Sequence, residues 1–142
     1  MLYDEVADPA SLTPAELRAQ YEAELAATID AVGVDAVADR ADVDRDVVAG
    51  LADGESPGVT IEDAAAILAT AGDAPSKDAI VTELRDHLMM GMTTAVLDVD
   101  RLASEIDGEV EPRTVQQQVE GRRKMTLAEY AAIHHVIAER KA

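Results

Sequence analysis

Helix punctuation recurs so regularly along this chain that it constrains the fold more than any other feature. Thr13-Pro14-Ala15-Glu16 combines an N-cap, a proline at the first helical position and a capping-box glutamate. The helix it opens is expected over 14–32, with Gly33 as its stop. A short helix at 35–41 leads to a turn at Asp42-Val43, and Asp44 caps a third helix that ends at Gly54. After the turn-rich Gly54-Glu55-Ser56-Pro57-Gly58, Thr60-Ile61-Glu62-Asp63 starts a fourth helix that Gly72 closes. Ser76 caps a long fifth helix through about 96. Short helices follow at 99–106 and 112–120, the second ended by Gly121, and Thr126-Leu127-Ala128-Glu129 opens the last helix. Nowhere does the sequence alternate apolar and polar with the period of a strand. The fold class expected is all-α.

The order long helix, short helix, turn, helix, capped helix occurs twice. The capping motifs Thr60 to Asp63 and Thr126 to Glu129 hold equivalent places, as do Gly54 and Gly121. The chain therefore divides into an arm (1–12), a first unit (13–72) and a second unit (76–142), with Asp73-Ala74-Pro75 between the units. The segment Leu88-Met89-Met90-Gly91-Met92 with Ala95-Val96-Leu97 is apolar on all sides, which places the fifth helix in a buried centre shared by both units. The glycines read as marks of helix ends and turns.

Residues 34–71 resemble the Cro/C1 (XRE) helix-turn-helix family. The resemblance makes Ala38 the small residue that lets two helices approach. It puts Asp42 at the turn, where the family usually has glycine. Val48 and Leu51 become the anchors of the second helix, with Val37 and Val43 completing the small core. In the second copy Ala103 matches Ala38 and Val115 matches Val48. There the turn Asp107-Gly108-Glu109-Val110 is about two residues longer, and Gln118 stands where Leu51 did, with Val119 available for its packing. As a whole the sequence also resembles an uncharacterised family of small haloarchaeal proteins.

Composition fits that resemblance. Asp and Glu number 29 against 12 Lys and Arg, a formal charge of −17, while 48% of residues are hydrophobic. An acidic chain poor in aromatics could stay disordered, but hydrophobics spaced with helical period argue for a fold. In molar salt the Debye length shrinks to ~3 Å, so a dense carboxylate surface repels little. Without cysteine there is neither a disulfide nor a cysteine zinc site, as suits a reducing cytoplasm. The acidic N-terminus does not read as a signal peptide, and no apolar run approaches the ~18 residues of a membrane span.

Charge is unevenly distributed. Residues 1–100 hold 22 acidic and 5 basic residues, and residues 101–142 hold 7 of each. In the first unit the face opposite Val48 and Leu51 presents Arg45, Asp46, Ala49 and Asp53, whose carboxylates would meet phosphate oxygens. In the second, Arg113, Gln116, Gln117 and Glu120 share one outer face. Gln pairs naturally with adenine and Arg with guanine, and Thr114 can reach a phosphate or a thymine methyl. Arg122-Arg123-Lys124 is the one basic cluster and could grip the DNA backbone. The competing reading is a solvated face whose basic run complements a helix C-terminus.

The remaining constellations read as structural. His87, on the stripe of Ile80, Leu84 and Leu88, and His134, with Leu127, Tyr130 and Ile137, are expected as hydrogen-bonded core histidines. Met89, Met90 and Met92 read as gap-fillers rather than soft-metal ligands. Asp42, Asp44 and Asp46 alternate as in a calcium loop but lack its glycine and terminal glutamate. No nucleophile–base pair or phosphate loop is present, and no cofactor is expected. The sequence therefore points to a non-enzymatic regulatory adaptor that binds double-stranded DNA through its second unit. The alternative is a protein-interaction module, or a homodimer, that keeps the helix-turn-helix shape without DNA binding.

Overall fold

A computed structural model describes residues 2–106 and 110–141. The turn 107–109, expected to be longer than its counterpart, lies outside the described residues. The chain is all-α. Helices α1 (Pro14–Val32), α2 (Val34–Ala41), α3 (Arg45–Ala52) and α4 (Ile61–Leu68) are followed by α5 (Lys77–Ala95), α6 (Val99–Glu105), α7 (Pro112–Val119) and α8 (Leu127–Lys141). Two 3₁₀ turns, Leu2–Glu5 and Pro9–Ser11, form the arm. No helix among the described residues is long and apolar enough to cross a membrane.

The caps do what the sequence asks of them. The Thr13 hydroxyl accepts from Glu16 N–H at 3.1 Å, and Thr13 N–H donates to the Glu16 carboxylate at 2.9 Å. Thr126 and Glu129 repeat the pair at the same two distances. Asp42 adopts left-handed geometry (φ 55°, ψ 44°), so the aspartate supplies the turn where the resembled family has glycine. One boundary moves. Helix α4 stops at Leu68, short of Gly72, because the Thr70 hydroxyl takes the Ile67 carbonyl at 2.6 Å and ends the ladder early.

The two halves of the chain pack in similar ways. α1 and α5 each have 19 residues and start on hydroxyl caps, Thr13 and Ser76. α1 lies against α4 and α8, and α5 lies against the same two helices, so the four form one bundle. The pairs α2–α3 and α6–α7 sit beside it. At the junction Thr60 and Thr126 form an isolated antiparallel bridge, with Ile61 N–H donating to Met125 O (2.8 Å) and Leu127 N–H to Val59 O (3.0 Å). Antiparallel pairing has a local two-fold axis, and here it relates equivalent positions of the two units. Leu17, Tyr21, Leu25 and Ile29 of α1 and Ile80, Leu84 and Leu88 of α5 join one continuous core with Tyr130, Ile133 and Ile137 of α8.

Two expectations about α5 are corrected. It is not buried all round: Leu88, Gly91 and Met92 face the core, but Met89 is 40% and Met90 69% exposed. Val96, in the left-handed C-cap at φ 56°, is 85% exposed. Nor do all glycines mark ends, since Gly50 lies inside α3 and Gly91 inside α5. A Cβ at Gly91 would stand 2.8 Å from Cγ2 of Ile137, closer than carbon atoms tolerate, so this glycine sets the approach of α5 to α8.

Candidate nucleic-acid interface

Helix α7 is held by its inner face. Val115, Gln118 and Val119 are buried, and Gln118, only 3% exposed, donates from its side-chain amide to the Lys124 carbonyl at 3.3 Å. The glutamine therefore replaces an apolar anchor and also ties the following loop to the helix. Arg113 and Gln116 are exposed and Thr114 and Gln117 half-buried on the opposite side, with Arg122, Arg123 and Lys124 exposed just beyond. All seven candidate residues thus lie on α7 or in the loop that follows it.

The loop has a fixed shape. Gly121 (φ 81°) lets Arg122 N–H reach back to the Gln117 carbonyl at 2.8 Å, satisfying an orphan carbonyl of the last turn. The first unit closes α3 identically, through Gly54 (φ 84°) and a bond from Glu55 N–H to the Gly50 carbonyl at 2.9 Å. The shared closure leads into Glu55-Ser56-Pro57 in one unit and Arg122-Arg123-Lys124 in the other; beyond it the paths differ, with six positions from Gly54 to Thr60 and five from Gly121 to Thr126. In the first unit Arg45 is engaged by Asp35 at 2.5 Å, and Asp42, Asp44, Asp46 and Asp53 are exposed around it.

Not every cation of the second unit is unengaged. Arg122 pairs with Glu120, and Arg123 donates to the Gln117 side chain at 3.4 Å. Arg113 and Lys124 have no ion pair among the described residues. The exposed Arg122–Glu120 pair is worth little in water and exchanges readily for another anion.

A second constellation escaped the sequence reading. Three tyrosines and two histidines, far apart in the chain, meet where α1, α5, α8 and the arm converge. Tyr3 stacks on His87 with centroids 3.8 Å apart, and His87 meets His134 edge-on at 5.1 Å. Buried Tyr21 hydrogen-bonds Nδ1 of His134, and Tyr130 donates to the Leu84 carbonyl at 3.1 Å. Burial pushes the Tyr21 hydroxyl's pKa up, so it stays protonated and donates to Nδ1, which puts the His134 proton on Nε2. Burial, and then the neighbouring His87, Lys141 and His135, lower the His134 pKa to about 4. His134 is thus a neutral core histidine, as expected from its stripe, and His87 is the half-buried ring between it and the arm.

Among the described residues no group of His, Asp or Glu has the geometry to hold a metal ion. No curated protein and no solved structure matches the chain. One family model does, over residues 17–140, a span that runs from within α1 to within α8 and takes in the short-helix pairs α2–α3 and α6–α7. By that match the chain belongs to a family of unknown function, DUF5791.

Proposed function

We propose that the protein is a non-enzymatic DNA-binding or transcription-regulatory adaptor, of the Cro/C1 (XRE) helix-turn-helix kind, working in high salt. Its second unit makes the contact. The observation that carries this reading is the contrast between two loops that leave their helices by the same glycine closure, acidic after α3 and basic after α7. Beside the basic loop, Gln116 and Gln117 offer amide pairs suited to adenine and Arg113 a guanidinium suited to guanine. Arg122, Arg123 and Lys124 supply phosphate contacts, and Thr114 sits at the helix start where a phosphate or thymine methyl passes. High salt weakens counterion release, so the amides weigh more than the modest cation count.

Selection from a random double-stranded DNA library in molar KCl tests this. Enrichment of a defined sequence is expected. Gln117→Ala should then cost on the order of 1–3 kcal/mol against that sequence alone. Arg123→Ala should weaken all sequences alike and flatten the salt dependence, whereas Arg45→Ala in the first unit should change neither. Failure to enrich any sequence, or three variants that behave alike, would transfer the assignment to a protein-interaction module with the same fold.

A further inference from the structure

Three hollows join along the outer face of α5. The largest, of about 780 Å³, lies among Tyr3, Asp78, Glu83, Asp86, His87 and Met90. One of about 360 Å³ extends it over Met89, Thr93 and Thr94 and shares Asp86 and Met90 with it. Another, of about 300 Å³, shares Tyr3, His87 and Lys141 and reaches Asp8 and Ile137 beneath the arm. From Asp78 to Thr94 the face runs roughly 24 Å at the helical rise per residue. That is long enough to lie along several turns of a partner helix.

The chemistry of the face changes along the helix, anionic at Asp78 and Asp86 and apolar one turn further on at Met89 and Met90. Met89 and Met90 are two of the three large exposed hydrophobic side chains among the described residues, and methionine adapts its shape to varied apolar partners. Asp78 and Asp86 are exposed with no ion pair among the described residues, while Glu83 accepts from Tyr3 at 2.9 Å. Lys141 is the single Lys or Arg lining the hollows among the described residues. A second copy of the chain would bring the same carboxylates and a net charge of −17, and a nucleic acid would meet the same repulsion. Complementarity asks instead for apolar side chains with cations about a turn or two further along.

We infer that the α5 groove docks a basic amphipathic helix of a partner protein. Its apolar residues, at i, i+3, i+4 and i+7, seat on Met89 and Met90, and its Lys or Arg residues meet Asp78 and Asp86. No residue of α7 or its loop lines the hollows, and the proposal stands independently of the DNA reading.

The test uses the full chain and two fluorescent peptides of identical Leu and Lys composition. One has its leucines on a single helical face, and in the other the order is scrambled. Fluorescence anisotropy at moderate and molar KCl should show the amphipathic peptide binding at least about tenfold tighter than the scrambled one. Met90→Asp should remove about tenfold of that affinity. The pair Asp78→Asn and Asp86→Asn should remove several-fold and flatten the salt dependence. These side chains are exposed, and circular dichroism will confirm that the variants fold. Equal binding of both peptides, or unchanged binding by the variants, overturns the proposal. So does a wild-type dimer, seen by sedimentation, that Met90→Asp dissolves while the peptide fails to bind. Met90→Asp should leave DNA selection untouched, so the two assignments fail separately.

Discussion

Acidification should unlock the core at His134. In the folded protein its pKa is lowered to about 4 from the ordinary 6.5. The unfolded chain therefore takes up the proton first. Stability is complete above pH 6.5, falls as the pH descends toward about 4, and levels off below that. Each tenfold change in proton affinity corresponds to about 1.4 kcal/mol, so the full loss is about 3 kcal/mol. That is a large share of the ~5–15 kcal/mol typical of a domain. The groups facing the imidazole are Tyr21 from α1, His87 from α5, and Tyr130, His135 and Lys141 from its own helix. None of them offers a negative charge that would compensate. Urea unfolding in molar KCl at about pH 7.5 and about pH 4.5 would measure the loss, with His134→Gln as comparison, since glutamine does not titrate. Carboxylates titrate in both proteins and cancel in the difference. Wild type should lose about 2–3 kcal/mol more than the variant. Parallel losses would refute the assignment of a buried neutral imidazole.

Two further outcomes follow from the backbone and the charge. Val96 is β-branched at φ 56° and its side chain is 85% exposed, so Val96→Gly should relieve strain without losing packing. It should raise the urea midpoint by an amount worth about 1 kcal/mol. Transferring the protein from molar to low KCl should lower the melting temperature seen by circular dichroism, because 22 acidic residues before Arg101 then repel unscreened.

Local chemistry was readable from local sequence. Thr13 with Glu16, Thr126 with Glu129 and the left-handed Asp42 needed only neighbours within a few residues, and the structure keeps them. The outward face of α7 was readable too, since helical spacing decides which side Val115 turns inward. What could not be read depends on distant partners. Tyr3, His87 and His134 are brought together by bundle packing, and nothing at any one position announces the other two. Gly91 looks like a weak point in a helix until Ile137 arrives opposite it. Met89 and Met90 resemble core residues by composition, but α5 meets α4 and α8 on one side only, which leaves them outside. Gln118 read as a failed anchor because its bond to the Lys124 carbonyl depends on a loop geometry set by Gly121.

The bridge between Thr60 and Thr126 has a consequence for how the two units can change. In a symmetric dimer of identical chains, every substitution is made twice, and a charge added on one side is added on the other. Here the dyad relates two stretches of one chain, so each can drift alone while the joint between them holds. A loop that leaves its helix by the same glycine closure can carry Glu55-Ser56-Pro57 on one side and Arg122-Arg123-Lys124 on the other without disturbing Val59, Ile61, Met125 or Leu127 at the seam. The molecule keeps the packing economy of a dimer and is released from its obligation to have two like ends.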